Sequence, residues 1–121
     1  MANTFKVVTF AAEPASAGTA YKMYTVAGST TTVVLRLIIT NIHSTAVTVE
    51  VELESNTSNR GGANNVANTT AFLVKDVTIP AGSSLELLSG GKVVMETTDV
   101  LKIDSDVTGK IDATLSIMEI T

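Results

Sequence analysis

The chain has no cysteine, no tryptophan, two prolines, one histidine, three phenylalanines and two tyrosines. Without cysteine there can be no disulfide, no thiolate nucleophile and no Cys-ligated zinc. A fold of 121 residues must then be held by its core alone. That length suffices, because a domain of this size buries roughly two-thirds of its unfolded surface. Apolar runs stop well short of the ~18 residues of a membrane span. The start, "MANTFKVVTFAAEP", has no apolar stretch of the kind that opens a secretory signal. The expectation is a protein made in a cytoplasm and not associated with a membrane. Positive charge is scarce: eight Lys and Arg stand against twelve Asp and Glu, a net charge of −4. They are scattered, and without a basic patch nucleic acid is not an expected partner. Charged residues make up 17% of the chain, below the ~25% of an average domain. Thr, Ser and Asn must therefore cover much of the surface.

What is present is β-branched. Thr, Val and Ile number 19, 15 and 8, and such side chains suit a pleated surface better than a helix. The clearest run is "AVTVEVELE", Ala46 to Glu54. Val47, Val49, Val51 and Leu53 fall on one face, and Thr48, Glu50, Glu52 and Glu54 on the other, which is the period of a half-buried strand. Before it, "TTVVLRLIIT" (Thr31 to Thr40) is apolar on both faces. It reads as a central strand or one covered by a partner. The short link "NIHST" predicts a hairpin between these two strands. "TFKVVTF" and "AYKMYTV" read as earlier strands, separated by the loop "AAEPASAGT".

Residues 55–69 are rich in Asn and Gly and read as a long exposed loop. After it, "AFLVKDVTI" is a strand closed by Pro80, "PAG" a turn, and "SLELL" a strand. Gly90-Gly91 predicts a tight hairpin into "KVVME". "VLKIDS" and "KIDATLSIMEI" follow, the last with a period slip at Met118-Glu119 that predicts a bulge or a change of partner. The sum is an all-β chain of about nine short strands, an antiparallel β-sandwich or small barrel of jelly-roll-like type. It forms a single domain over 1–121, with a possible N-terminal arm at 1–19.

Chemistry is sparse. A nucleophile–His–acid triad would need His43, which sits in a polar turn beside Ser44, where adjacent side chains diverge. Asp99, Asp104, Asp106 and Asp112 cluster late in the chain. "DSDVTG" lacks the twelve-residue calcium-loop pattern, and Asp is a preferred turn residue because its carboxylate caps backbone N–H groups. Gly61-Gly62 and Gly90-Gly91 match no phosphate loop. The sequons at Asn56 and Asn68 count for nothing without secretion. No catalytic, metal or cofactor site is expected, and the chain does not read as an enzyme.

The segment "FLVKDVTIPAGSSLELLSGGKVVMETTDVLKIDSDVTGKIDATLSIMEI", with the upstream "YTVAGSTTTVVLRLIITNIHSTAVTVEVEL", resembles small virion proteins of tailed bacteriophages, including phages of cyanobacteria and other marine bacteria. The likeness runs from Tyr24 to about Ile120. It implies a β-sandwich head-decoration (cement) protein that bridges major capsid subunits on the virion surface. Neck, tail or baseplate proteins of the same build are the alternative, and a carbohydrate- or host-surface-binding module comes third. Such proteins self-associate, and a trimer is the favoured state. Three sets of residues are expected to make contacts. The first is an apolar outer stripe of Val34, Ile38 and Ile42. The second is the acidic stripe Glu50, Glu52 and Glu54. The third is Asn59, Arg60, Asn64 and Asn65 in the long loop.

Overall fold

The computed structural model describes residues 2–56, 69–88 and 90–121. Among these there are nine strands and no helix. They are β1 (Asn3–Glu13), β2 (Tyr21–Thr25), β3 (Thr31–Asn41), β4 (Val47–Glu54), β5 (Thr70–Ile79), β6 (Ser84–Leu87), β7 (Val93–Met95), β8 (Val100–Ser105) and β9 (Ile111–Ile120). The first sheet has the order β1-β9-β3, with β6 and β7 both on the far side of β3; the second is β2-β8-β4-β5. All pairings are antiparallel. The chain thus crosses between sheets at nearly every connection, which is the winding of a jelly roll.

The alternation read in β4 holds: Val47, Val49 and Val51 are fully buried. They meet Val34, Leu37 and Ile39 from β3, Leu101 and Ile103 from β8, and Ile111, Leu115 and Ile117 from β9. Each such side chain contributes about 1.5–3 kcal/mol on leaving water. Aliphatic interdigitation therefore carries the fold, and aromatics stay at its margin. Phe10 and Tyr21 meet edge to face, 4.8 Å between centroids, where β1 approaches β2.

Four expectations are corrected. First, β3 and β4 are not a hairpin: they lie in opposite sheets. Both edges of β3 are already taken, by β9 and by β6 with β7. The link therefore arches over the core, and Asn41 clamps it. Its amide donates to the carbonyls of Thr45 and Ile79, both at 2.9 Å, and its oxygen accepts the His43 N–H at 2.7 Å.

Second, Gly90-Gly91 is not a hairpin. β6 pairs Leu37 to Thr40 of β3, and β7 pairs Thr32 to Val34. The two are halves of one interrupted strand running the same way along β3. Third, β9 does not slip. Ile111, Ala113, Leu115 and Ile117 are buried, Glu119 continues the same face, and the partners stay β1 and β3 up to Ile120. The irregularity lies in β3, where Leu35 is an extra residue between Val34 and Arg36, opposite the gap between β6 and β7.

Fourth, the strand at the chain's start does not end at Phe10. It runs on to Glu13 across a register shift between Phe10 and Glu13, with Ala12 at φ 56. Residues 3–13 of the expected arm are therefore a strand of the first sheet. The turn after Pro80 forms as read: Ser83 N–H donates to Pro80 O at 3.1 Å, and Gly82 takes φ 71, the positive angle that glycine permits.

Candidate protein interface

The outer faces of the two sheets differ in chemistry. On the second sheet, Glu50, Glu52 and Glu54 lie where the alternation placed them, pointing away from the core. They are partly neutralised. Lys75 Nζ reaches Glu50 Oε1 at 3.2 Å, and Lys102 is paired with Glu54. Lys102 and then the Asn56 amide hold the Glu54 carboxyl below its ordinary pKa. Phe72 carries Lys75 over its ring at 4.7 Å. This face is wet, charged and internally paired.

The first sheet's outer face is apolar across one row. The register aligns Phe5 with Met118, Met118 with Val33, and Val33 with Val94. Four adjacent strands thus present four apolar side chains side by side. Phe5 is 72% exposed and Val94 58%. Val7, at 65%, adjoins the row on β1. On the other side, Ile120 lies between Asn3 and Thr31. On this outer face the ion pair of Arg36 with Glu86, at 3.1 Å, lies beyond the row, toward the other end of the sheet. Isolated apolar residues are ordinary on a surface, but a contiguous row rimmed by polar groups marks a contact site.

The expected stripe is therefore moved. Val34 has no exposed surface; it faces the core, because the extra residue at Leu35 reverses the phase of β3. Ile38 does face outward, half-buried, between Thr114 and Glu86. Ile42 is 46% exposed but lies in the arch after β3, away from the row. Asn59, Arg60, Asn64 and Asn65 lie outside the described residues.

The aspartates serve the backbone. The Asp99 carboxylate accepts the Asn56 and Glu96 N–H groups, and Asp104 accepts those of Gly18 and Ser105. Asp106 accepts Thr48 N–H at 2.9 Å and Asp112 accepts Ala12 N–H at 2.8 Å. The capping of backbone N–H groups read in the sequence is present, but Asp104 and Asp112 lie in strands, and most of the caps tie distant segments together rather than closing a local turn. A small hollow bounded by Gly18, Thr48, Glu50, Asp76, Asp104, Ser105 and Asp106 gathers four carboxylates. All four are already engaged, Glu50 and Asp76 by Lys75 and Asp104 and Asp106 by backbone N–H groups. No group of three or more His, Cys, Asp or Glu side chains among the described residues is placed to hold a metal ion.

A partly buried polar cluster lies at one end of the core. The Tyr24 hydroxyl donates to Glu119 Oε2 at 2.5 Å and lies 2.8 Å from Thr32 Oγ1, and Lys6 Nζ is 2.6 Å from Glu119 Oε1. Burial, then the Glu119 contact, pushes the Tyr24 phenol up to about 12. Lys6, then Tyr24, lowers the Glu119 carboxyl.

Phe5, Val33, Val94 and Met118 were not legible as a site. They come from four strands and meet only through the register. The single local signal was β3, apolar on both faces. Compared with family models, curated proteins and solved structures, the chain returned no match.

Proposed function

We propose that this chain is a structural protein of a tailed-phage virion, a decoration protein that docks on the major capsid protein and stabilises the shell. The observation that carries the reading is the apolar row Phe5–Met118–Val33–Val94 on the first sheet's outer face. A rigid sandwich with one adhesive face and one charged, solvated face suits a part that binds flat on a larger surface. The resemblance of Tyr24 to Ile120 to small virion proteins supports the same reading. Each docked copy adds interface that must break before the shell opens, and contacts repeated over a lattice multiply. A neck, tail or baseplate position is the alternative within the same class.

Densitometry of purified virions separates the two. Copies on the scale of roughly hundreds per particle support the shell position, since a lattice repeats its sites. A dozen or fewer moves the protein to the neck or tail. Absence from the particle ends both readings.

A further inference from the structure

A sheet edge presents unpaired N–H and C=O groups, and proteins blunt such edges against pairing with another chain. Among the described residues this sandwich has four, and three are blunted. β5 is bulged at two places against β4 and carries Lys75 and Asp76. β2 is five residues long and irregular between Lys22 and Tyr24. The β6–β7 edge is two short pieces. β1 is different. It pairs without irregularity from Asn3 to Phe10, and among the described residues no strand lies on its other side.

Which of its groups are open follows from parity. Ala2 and Thr121 exchange both backbone hydrogen bonds, at 3.1 and 2.9 Å. Bonded pairs alternate along an antiparallel ladder. Thr4, Lys6, Val8 and Phe10 therefore bond β9, while Asn3, Phe5, Val7 and Thr9 direct their N–H and C=O groups outward. The side chains of these four are exposed and uncharged, with Phe5 and Val7 the two most exposed large apolar residues described.

We propose that β1 pairs antiparallel with β1 of a second copy of this chain across a two-fold axis at Phe5. A head-to-tail ring would need β1 to meet a different edge, and the other edges are blunted. The open edge can therefore close only on itself. Centring on Phe5 sets Asn3 against Val7 of the mate and Phe5 against Phe5, which forms about six new ladder bonds. It also sets Lys6 of the mate against Thr4. Thr4 pairs Glu119 on its other side, so that lysine enters the row of Glu119, about 10 Å away across two strand spacings. The carboxylate that now holds Lys6 within its own chain can then be shared. Centring on Lys6 instead would set two lysines face to face, which is destabilising. The Phe5 axis also joins the two apolar rows end to end into one band across both sheets. The proposal stands independently of what the outer face binds.

Sedimentation of the purified full chain tests it. Wild type is expected to be a dimer. Val7→Pro removes an N–H that points away from β9, so the ladder survives, and the dimer should weaken by about tenfold or more through two lost bonds. Phe5→Lys should do the same, with circular dichroism and melting close to wild type. Since the chain lacks cysteine, Phe5→Cys should give a disulfide-linked dimer under mild oxidation. Lys6→Cys, joined only in the register with facing lysines, should not. A strictly monomeric or trimeric wild type, or cross-linking at Lys6→Cys rather than Phe5→Cys, overturns the proposal. If Val7→Pro fails to fold, Phe5→Lys and the cysteine pair decide it.

Discussion

Asn41 shows how much one buried polar residue can specify. It is 1% exposed and ties three backbone groups of the arch and of β5. A truncated side chain would leave the Ile79 carbonyl without that donor in the core. Asn41→Ala is expected to cost about 2–3 kcal/mol in urea unfolding, because a stranded buried polar group loses its full desolvation term. His43→Ala, two residues on in the same arch, should stay within about 0.5 kcal/mol. The Tyr24–Glu119 pair makes a second residue-scale prediction. The Tyr24 phenol is raised to about 12, so its neutral form stabilises the fold fully below the ordinary tyrosine value of ~10, and this is lost as pH rises through 12. Glu119 is lowered, so its contribution is present above the ordinary glutamate value of ~4.3 and is lost as pH falls below it. Measured against Tyr24→Phe, wild type should hold a steady advantage between about pH 5 and 10. That advantage should close on the alkaline side.

Elements were legible where one strand settled its own face, and illegible where a neighbour decided. The wet and dry faces of β4 and the turn at Pro80 are local, and they stood in the sequence. That Asp99, Asp104, Asp106 and Asp112 cap backbone N–H groups was also legible, but not the distant segments, 43 to 100 residues away, that they tie down. The pairing of β3 is not local. Its short link to β4 favoured a hairpin, yet two-sided burial was satisfied better between β9 and the split strand β6–β7. The bulge at Leu35 was equally hidden. A run of Val33, Val34, Leu35, Leu37 and Ile38 offers apolar residues in either phase, so the sequence alone assigned Val34 to the surface. The apparent slip at the end of β9 came from Glu119, a charged residue on the inward face. Partners on β1 and β2, far away in sequence, accommodate it. The phase of β9 is directly testable. Ile117→Ala should cost about 3 kcal/mol, a buried large-to-small loss. Met118→Ala, half-buried on the outer face, should cost under about 1 kcal/mol. Equal losses by denaturant midpoint would refute the unbroken alternation.

At the scale of the molecule, the charge on the two faces sets up a choice between docking modes. The net charge of −4 includes Glu50, Glu52 and Glu54 on the second sheet, while the apolar row lies on the first. If the charged face docked, binding would be to a basic surface and would weaken steeply with salt, because exposed pairs are screened beyond a Debye length of ~8 Å. The ion pairs of Glu50 and Glu54 with Lys75 and Lys102 argue against it, since those carboxylates are already partnered. Docking through the first sheet instead buries Phe5, Val33, Val94 and Met118, at ~25 cal/mol per Å² of apolar surface, and depends little on salt. Val33→Glu with Val94→Glu places two charges in that contact without touching the core. It should reduce binding to undecorated phage heads by about a hundredfold or more, since each unpaired charge buried in an interface costs several kcal/mol. Folding by circular dichroism should stay intact. Glu50→Gln with Glu52→Gln should leave binding within about threefold at any ionic strength, as expected for charges outside the interface. The opposite pattern, with salt-sensitive binding lost in the glutamine variant and kept in the glutamate one, would transfer the docking role to the acidic sheet.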